Sequence, residues 1–191
     1  YQLKHKYGMH PLTVTWASAL NTTIGRENFE DFVMSGYDNI KGTPNGEINK
    51  KLSRITFEEF GDNFLPFIYG QVNFPLQIAA KYKIPLVLWG EDGDVEYGGR
   101  FDRWDESEIT LEYMINRKMS GHPPEFWKSF GIDINQLQFY MPPKKEELES
   151  IQFSGRYLSY YKKWEPEKNV EIAKKHTGYK TNPDGRIEGT Y

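Results

Sequence analysis

Four carboxylates stand close together in a glycine-rich stretch near the middle of the chain. Glu91, Asp92, Asp94 and Glu96 lie between Gly90 and a later pair of glycines. Carboxylates crowded in this way repel one another unless a cation or a proton neutralises them. Magnesium takes oxygen ligands and shares them with phosphate oxygens. The pattern therefore favours a magnesium–phosphate loop or an acid–base loop, with a solvated acidic turn as the competing interpretation.

The residues in front of this loop predict where it lies. A short apolar run, 85–90, begins with Pro85 and ends with Gly90, which is typical of a buried strand in a parallel sheet. Ligands of open α/β sheets bind at the carboxyl ends of the strands. The acidic loop is therefore expected at the ligand-binding edge of a sheet.

The rest of the first hundred residues alternates between strand and helix patterns. We predict strands over 11–17, 37–42 and 85–90, and helices ending at Gly8 and over 25–35, 47–60 and 74–82. Asn45 is positioned to cap the helix that follows it, and Pro75 is placed in the first turn of its helix, where proline is tolerated. This alternation predicts an α/β fold with a parallel sheet and helices on both faces.

Composition excludes several classes of protein. The chain of 191 residues is 38% apolar and 27% charged, which is typical of a globular protein. Its net charge is −3 and its basic residues occur as dispersed pairs, which argues against a nucleic-acid partner. The chain has no cysteine, which excludes disulfides and thiolate metal sites within it. No apolar run approaches the roughly 20 residues of a membrane span, and no signal-peptide pattern is present, so a cytoplasmic location is expected.

Six sequence blocks occur together in one order: Tyr7–Ala17, Gly42–Gly46 with Lys51–Arg54, Pro66–Gln71, Gly90–Gly99, Tyr160–Trp164 and Glu188–Tyr191. In this order they resemble blocks of the bacterial N-acetyl sugar amidotransferases of surface-polysaccharide (LPS/O-antigen) biosynthesis. That family belongs to the PP-loop ATP pyrophosphatases, and its acidic loop also resembles one in asparagine synthetases. The resemblance implies a Rossmann-like sheet of the PP-loop (HUP) type with a helical C-terminal extension.

The resemblance also implies an activity. Family members convert the acetamido group of a nucleotide-linked N-acetyl sugar to an acetamidino group, after ATP has adenylylated the amide oxygen. Ammonia then displaces AMP. The implied cofactors are ATP and Mg²⁺, and the implied substrate is a UDP-linked N-acetyl sugar. The implied partners are a glutaminase subunit and a cyclase-like ammonia-channel subunit, while self-association into a homo-oligomer is left open.

The candidate site residues follow from these blocks. Asp94 and Glu96 are expected to hold Mg²⁺, and Glu91 either joins them or deprotonates the incoming ammonium. The nucleotide-binding candidates are Trp16, Ala17, Thr43, Asn45, Gly46 and Gly90. The substrate-binding candidates are Lys51, Arg54, Gln71, Tyr97, Lys162 and Lys163. For the four basic residues, a solvated surface charge is the competing interpretation.

Two features depart from the family pattern. The phosphate-cradling motif Ser-Gly-Gly-Lys-Asp-Ser is absent, and so is the family's cysteine-bearing amino-terminal segment. We therefore expect a fragment that begins downstream of the motif and is inactive alone. It would comprise a nucleotide-binding core (1–100), a helical insertion (101–150) and a C-terminal segment (151–191) that continues further. The rival functions are another PP-loop enzyme, either tRNA-thiolating or asparagine-forming, and a non-catalytic binding domain.

Overall fold

The computed structural model describes residues 1–18, 21–90, 108–118, 121–163 and 165–183. This part of the chain is mixed α/β, as the alternating patterns predict. In chain order, helices α1 to α8 span Gln2–His5, Thr23–Met34, Gly46–Phe60, Leu65–Tyr82, Leu111–Tyr113, Lys145–Ser150, Leu158–Tyr161 and Pro166–Thr177. Strands β1 to β5 span Thr13–Trp16, Asn39–Gly42, Leu86–Trp89, Glu108–Ile109 and Ser154–Tyr157. A π-helical turn over Met114–Lys118 continues α5, and 3-10 helices span Pro124–Phe130 and Ile134–Tyr140.

The chain divides into two compact units. The first consists of Tyr1–Lys41 with Trp164–Tyr191, and the second of Gly42–Lys163. The regions predicted from the sequence, 1–100, 101–150 and 151–191, have other bounds and stay predictions.

The first unit contains a two-stranded sheet of β1 and β2. The backbone N–H of Thr13 donates to the carbonyl of Asp38 at 2.9 Å. The side-chain amide of Asn39 donates to Oγ1 of Thr13 and of Thr15, each at 2.9 Å. Thr13 and Thr15 are two residues apart and so lie on the same face of the strand. Because these contacts join the starts of both strands, the pair runs parallel, as predicted.

A buried amide fastens the segment after α8 to α2 in the same unit. Asn28 accepts the backbone N–H of Lys180 at 2.8 Å and donates to the carbonyl of the same residue at 2.9 Å. Both polar functions of the buried side chain are thereby satisfied, which removes the penalty of burying them.

The second unit is centred on α4, which packs against α3, β3 and the 3-10 helix at 134–140. Pro75 lies inside this helix and not in its first turn, so the predicted helix 74–82 was too short. Pro66 occupies the first turn, where the missing N–H has no helical partner to lose. Packing of the apolar face stabilises α4 despite the interior proline. At 18 residues it is the longest described helix, yet no helix in the described ranges is long and apolar enough to cross a membrane.

One face of α4 carries polar side chains at four-residue spacing, namely Tyr69, Asn73 and Gln77. Each donates a hydrogen bond to a main-chain carbonyl. Tyr69 donates to His122, Asn73 donates to Tyr140 at 2.6 Å, and Gln77 donates to Gln138 at 2.7 Å. Burial, and to a lesser degree the carboxylate of Glu125, raise the pKa of Tyr69, so its hydroxyl remains a donor at neutral pH. This polar ladder attaches the segment 122–141 to α4.

The sheet of the second unit has the strand order β3-β5-β4. β5 runs parallel to β3 and antiparallel to β4. β3 was predicted to be buried, but its residues are half-exposed and Leu86 is 39% exposed. The reason is that β3 has β5 as its sole strand neighbour within the described ranges. A parallel strand is buried when neighbours and helices cover both of its sides.

Candidate functional site

Two distant parts of the chain meet at one edge of this sheet. In the parallel pairing of β3 with β5, Trp89 lies opposite Tyr157, so the carboxyl ends of the two strands are side by side. Gly90 continues from the end of β3, and Leu158–Tyr161 (α7) continues from the end of β5. The segment that begins at Gly90 and the segment that leads to Tyr160–Lys163 therefore start from the same edge. This is where α/β sheets bind their ligands.

Exposed aromatic and basic side chains follow β5 at this edge. Tyr160 and Tyr161 are 50% and 59% exposed, and their ring centroids are 5.2 Å apart. Lys162 is half-buried and Lys163 is exposed. Neither lysine has an ion-pair partner among the described residues. Ammonium groups of this kind can bind phosphate, and exposed rings can stack on a base or a sugar.

The carboxylates Glu91, Asp94 and Glu96, together with Tyr97, lie outside the described residues. Their catalytic, magnesium-binding and substrate-binding roles stay predictions. Gly90 is the last described residue of their block, and it is exposed, with no atom within 4 Å of a Cβ built on it. Within the described ranges, no three His, Asp or Glu side chains form a metal-binding group.

Three exposed candidates lie between the end of β2 and the first residue of α3, namely Thr43, Asn45 and Gly46. Oδ1 of Asn45 accepts the backbone N–H groups of Glu47 at 2.9 Å and of Ile48 at 3.2 Å. The predicted helix cap is thereby confirmed. Because the capping oxygen already holds the N–H groups that a phosphate would use, the amide nitrogen of Asn45 is the group that can reach a ligand.

A close approach between Gly42 and Phe74 fixes the start of this loop. A Cβ on Gly42 would lie 2.7 to 2.9 Å from three atoms of the Phe74 ring. Phe74 is buried on α4, so its ring cannot move without disturbing the core. A glycine is therefore required at position 42, where the backbone passes the Phe74 ring, and this packing requirement is independent of any ligand.

Replacing Asn45 with alanine is expected to lower the free energy of unfolding by about 1 kcal/mol, because two helix N–H groups lose their acceptor. The control is Thr43→Ala, which removes a neighbouring exposed side chain that caps nothing and should leave stability unchanged. Urea denaturation followed by far-ultraviolet circular dichroism measures both variants. Equal stability of Asn45→Ala and wild type would contradict the capping role.

Lys51 and Arg54 lie farther along α3. Nε of Arg54 donates to Glu58 at 2.7 Å in an exposed ion pair. Given the rise of an α-helix, Arg54 lies about 12 Å along the axis from Gly46. Lys51 is exposed. The substrate-binding roles predicted for Lys51 and Arg54 stay predictions, with solvated helix charges as the competing interpretation.

The remaining candidates lie on two other elements. Trp16, at the end of β1, is buried, and Ala17 after it is half-buried. Most of the indole is therefore covered by the protein itself. Gln71 is half-buried on α4. The nucleotide and substrate contacts predicted for these residues stay predictions.

No protein-family model matches the chain, and no curated protein sequence matches it significantly. The family resemblance consequently rests on the sequence blocks alone.

Proposed function

We propose that this chain is part of an ATP-dependent amidotransferase that converts the acetamido group of a UDP-linked N-acetyl sugar to an acetamidino group. One observation carries most of the weight. The parallel pairing of β3 and β5 starts the acidic block at Gly90 beside the segment that leads to Lys162 and Lys163. The segment after Gly90, whose residue types suit a metal-bound phosphate, and the segment leading to Lys162 thus begin at the same sheet edge.

The proposed reaction has two steps. The amide oxygen is first activated by adenylylation with loss of pyrophosphate, and ammonia then displaces AMP. Both leaving groups are anionic, so neutralising their charge supplies much of the catalysis. Carboxylate oxygens are suitable ligands for Mg²⁺, and Asp94 and Glu96 would hold it against the phosphates. Glu91 would accept a proton from ammonium, and Lys162 and Lys163 would bind the diphosphate of the sugar nucleotide.

The fold and the setting belong to the same proposal. β1 and β2 are parallel and joined through α2, and β3 and β5 are also parallel, which supports a Rossmann-like sheet of the PP-loop type. Ammonia would come from a separate glutaminase through a cyclase-like channel subunit. The reaction would take place in the cytoplasm during LPS/O-antigen synthesis.

Mass spectrometry of the complete protein's products tests this function. UDP-linked N-acetyl sugars are incubated with ATP, Mg²⁺ and ammonium, which replaces the glutaminase. We expect a product in which an NH group has replaced one oxygen atom, formed together with AMP. Sugar-independent AMP release that requires tRNA or aspartate would instead establish one of the rival PP-loop functions. The absence of AMP with every acceptor would leave a non-catalytic binding domain.

Replacing Asp94 with asparagine in the complete protein is expected to slow amidine formation on the order of 10²-fold, because a charged magnesium ligand is lost. The rate should recover partly when the magnesium concentration is raised. The control is Glu149→Gln, which changes an exposed carboxylate on α6 that pairs only with Lys145 among the described residues. Normal amidine formation by Asp94→Asn at low magnesium would exclude the metal role.

A further inference from the structure

Eight consecutive residues, 57–64, are exposed at the end of α3 and in the loop before α4. Three of them are phenylalanines, and Phe57, Phe60 and Phe64 are 61%, 40% and 54% exposed. Scattered exposed apolar residues are common, but a cluster of large ones marks an interaction site. We refer to these three rings, together with the adjoining His122 and Phe126, as the aromatic patch.

Three rings of the aromatic patch, those of Phe60, His122 and Phe126, are in contact with one another, and the Phe64 ring stacks on that of Phe67 at 4.7 Å. The Phe60 ring lies 4.9 Å from that of His122 and 5.4 Å from that of Phe126, and the latter two are 4.8 Å apart. Phe57 precedes Phe60 by three residues and so lies on the same helix face. The hydroxyl of buried Tyr69 donates a hydrogen bond to the main-chain carbonyl of His122. A partner would therefore meet a surface that is already ordered, which lowers the entropy lost on binding.

The aromatic patch carries a negative rim. Four exposed carboxylates lie within two residues of patch members along the chain: Glu58, Glu59, Asp62 and Glu125. The segment 57–64 contains no basic residue, and within four residues of these carboxylates the only Lys or Arg side chains are Arg54 and Lys128. Arg54 pairs with Glu58. Among the described residues, Glu59 and Glu125 have no ion-pair partner. The surface thus combines an apolar centre with anionic edges.

We propose that the aromatic patch docks a basic segment of a partner protein, one that presents Lys or Arg beside apolar side chains. Apolar groups would cover the rings, while cations would pair with the rim and lie over ring faces. An anionic lipid surface would be repelled by the same carboxylates. A symmetric contact with a second copy would place these carboxylates opposite one another. The proposal does not depend on the amidotransferase function.

Peptide binding measured by fluorescence anisotropy tests this docking site. The probes are a labelled amphipathic peptide of lysine and leucine, a matched peptide of glutamate and leucine, and a peptide of lysine and serine. We expect only the lysine–leucine peptide to bind, and its affinity to fall as salt is raised. Phe57→Ala/Phe60→Ala/Phe64→Ala and Glu58→Gln/Glu59→Gln/Asp62→Asn should each weaken binding about tenfold or more.

The control is Tyr82→Ala, which removes an exposed ring at the far end of α4 and should leave peptide affinity unchanged. All variants change exposed side chains, and urea denaturation verifies that they remain folded. Equal peptide affinity in the variants and the wild type would overturn the proposal. So would binding to anionic vesicles, or concentration-dependent dimerisation, if either were lost in the phenylalanine variant. Because no sugar nucleotide is used, failure here is distinct from failure of the proposed enzyme activity.

Discussion

Replacing Trp127 with alanine is expected to lower the free energy of unfolding of this protein by about 3 to 5 kcal/mol. Trp127 is fully buried in the second unit, on the 3-10 helix Pro124–Phe130, which lies within the segment that the polar ladder attaches to α4. Its ring centroid lies 4.4 Å from that of Tyr69 and 5.7 Å from that of Tyr140. Alanine would leave a large cavity between these rings. Urea denaturation monitored by circular dichroism measures the loss.

The matched variant Trp127→Phe separates ring packing from hydrogen bonding. Nε1 of Trp127 is buried without an acceptor among the described residues. A buried donor without a partner lowers the free energy of unfolding. Removing this donor therefore offsets part of the stability lost when the smaller ring fills less volume. Phenylalanine should therefore retain most of the stability that alanine forfeits. If both variants were equally unstable, the unpaired indole N–H would not be a source of destabilisation in the wild type.

Replacing Gly155 with alanine is expected to lower the free energy of unfolding by about 1 to 3 kcal/mol. Gly155 lies on β5, the central strand of the sheet. A Cβ there would be 2.8 Å from the carbonyl oxygen of Ile109 and 3.1 Å from the Trp89 ring. The methyl group would displace β4 or β3 from β5. We also expect Gly155→Ala to lower the rate of amidine formation by the complete protein, because β5 positions the segment leading to Lys162.

Gly90→Ala is the control for this substitution, since a Cβ at Gly90 would meet no atom within 4 Å. It should leave the urea midpoint unchanged. Wild-type stability in Gly155→Ala would contradict the strand order β3-β5-β4. Lower activity in Gly90→Ala at unchanged stability would support a ligand contact at that glycine.

Helices and strands were predicted well where helix caps and hydrophobic periodicity determine them. The helix predicted over 47–60 is α3, Gly46–Phe60, with Asn45 as its cap. A cap and an amphipathic repeat depend on neighbouring residues, so they can be identified from sequence. The rule failed at Pro75, since its first-turn preference was overridden by packing along α4. The strand 85–90 was predicted correctly, but its burial was not, because burial depends on neighbours elsewhere in the chain.

The candidate site also has features that the sequence predicts and features that it does not. The blocks around Gly90 and Lys162 were identified by their residue types. That they start from one sheet edge was not predicted, because the pairing of strands far apart in the sequence has no local sequence pattern. The polar ladder on α4 was equally invisible, since its acceptors are main-chain carbonyls that every residue possesses. The exposure of Phe57 could not be anticipated either. The amino-acid sequence alone thus determined the α/β class and most helix and strand positions, because these depend on periodicity, caps and composition, whereas the candidate chemistry stays a prediction. Only the tertiary structure decided which strand ends are adjacent and which rings face solvent, because both depend on long-range packing.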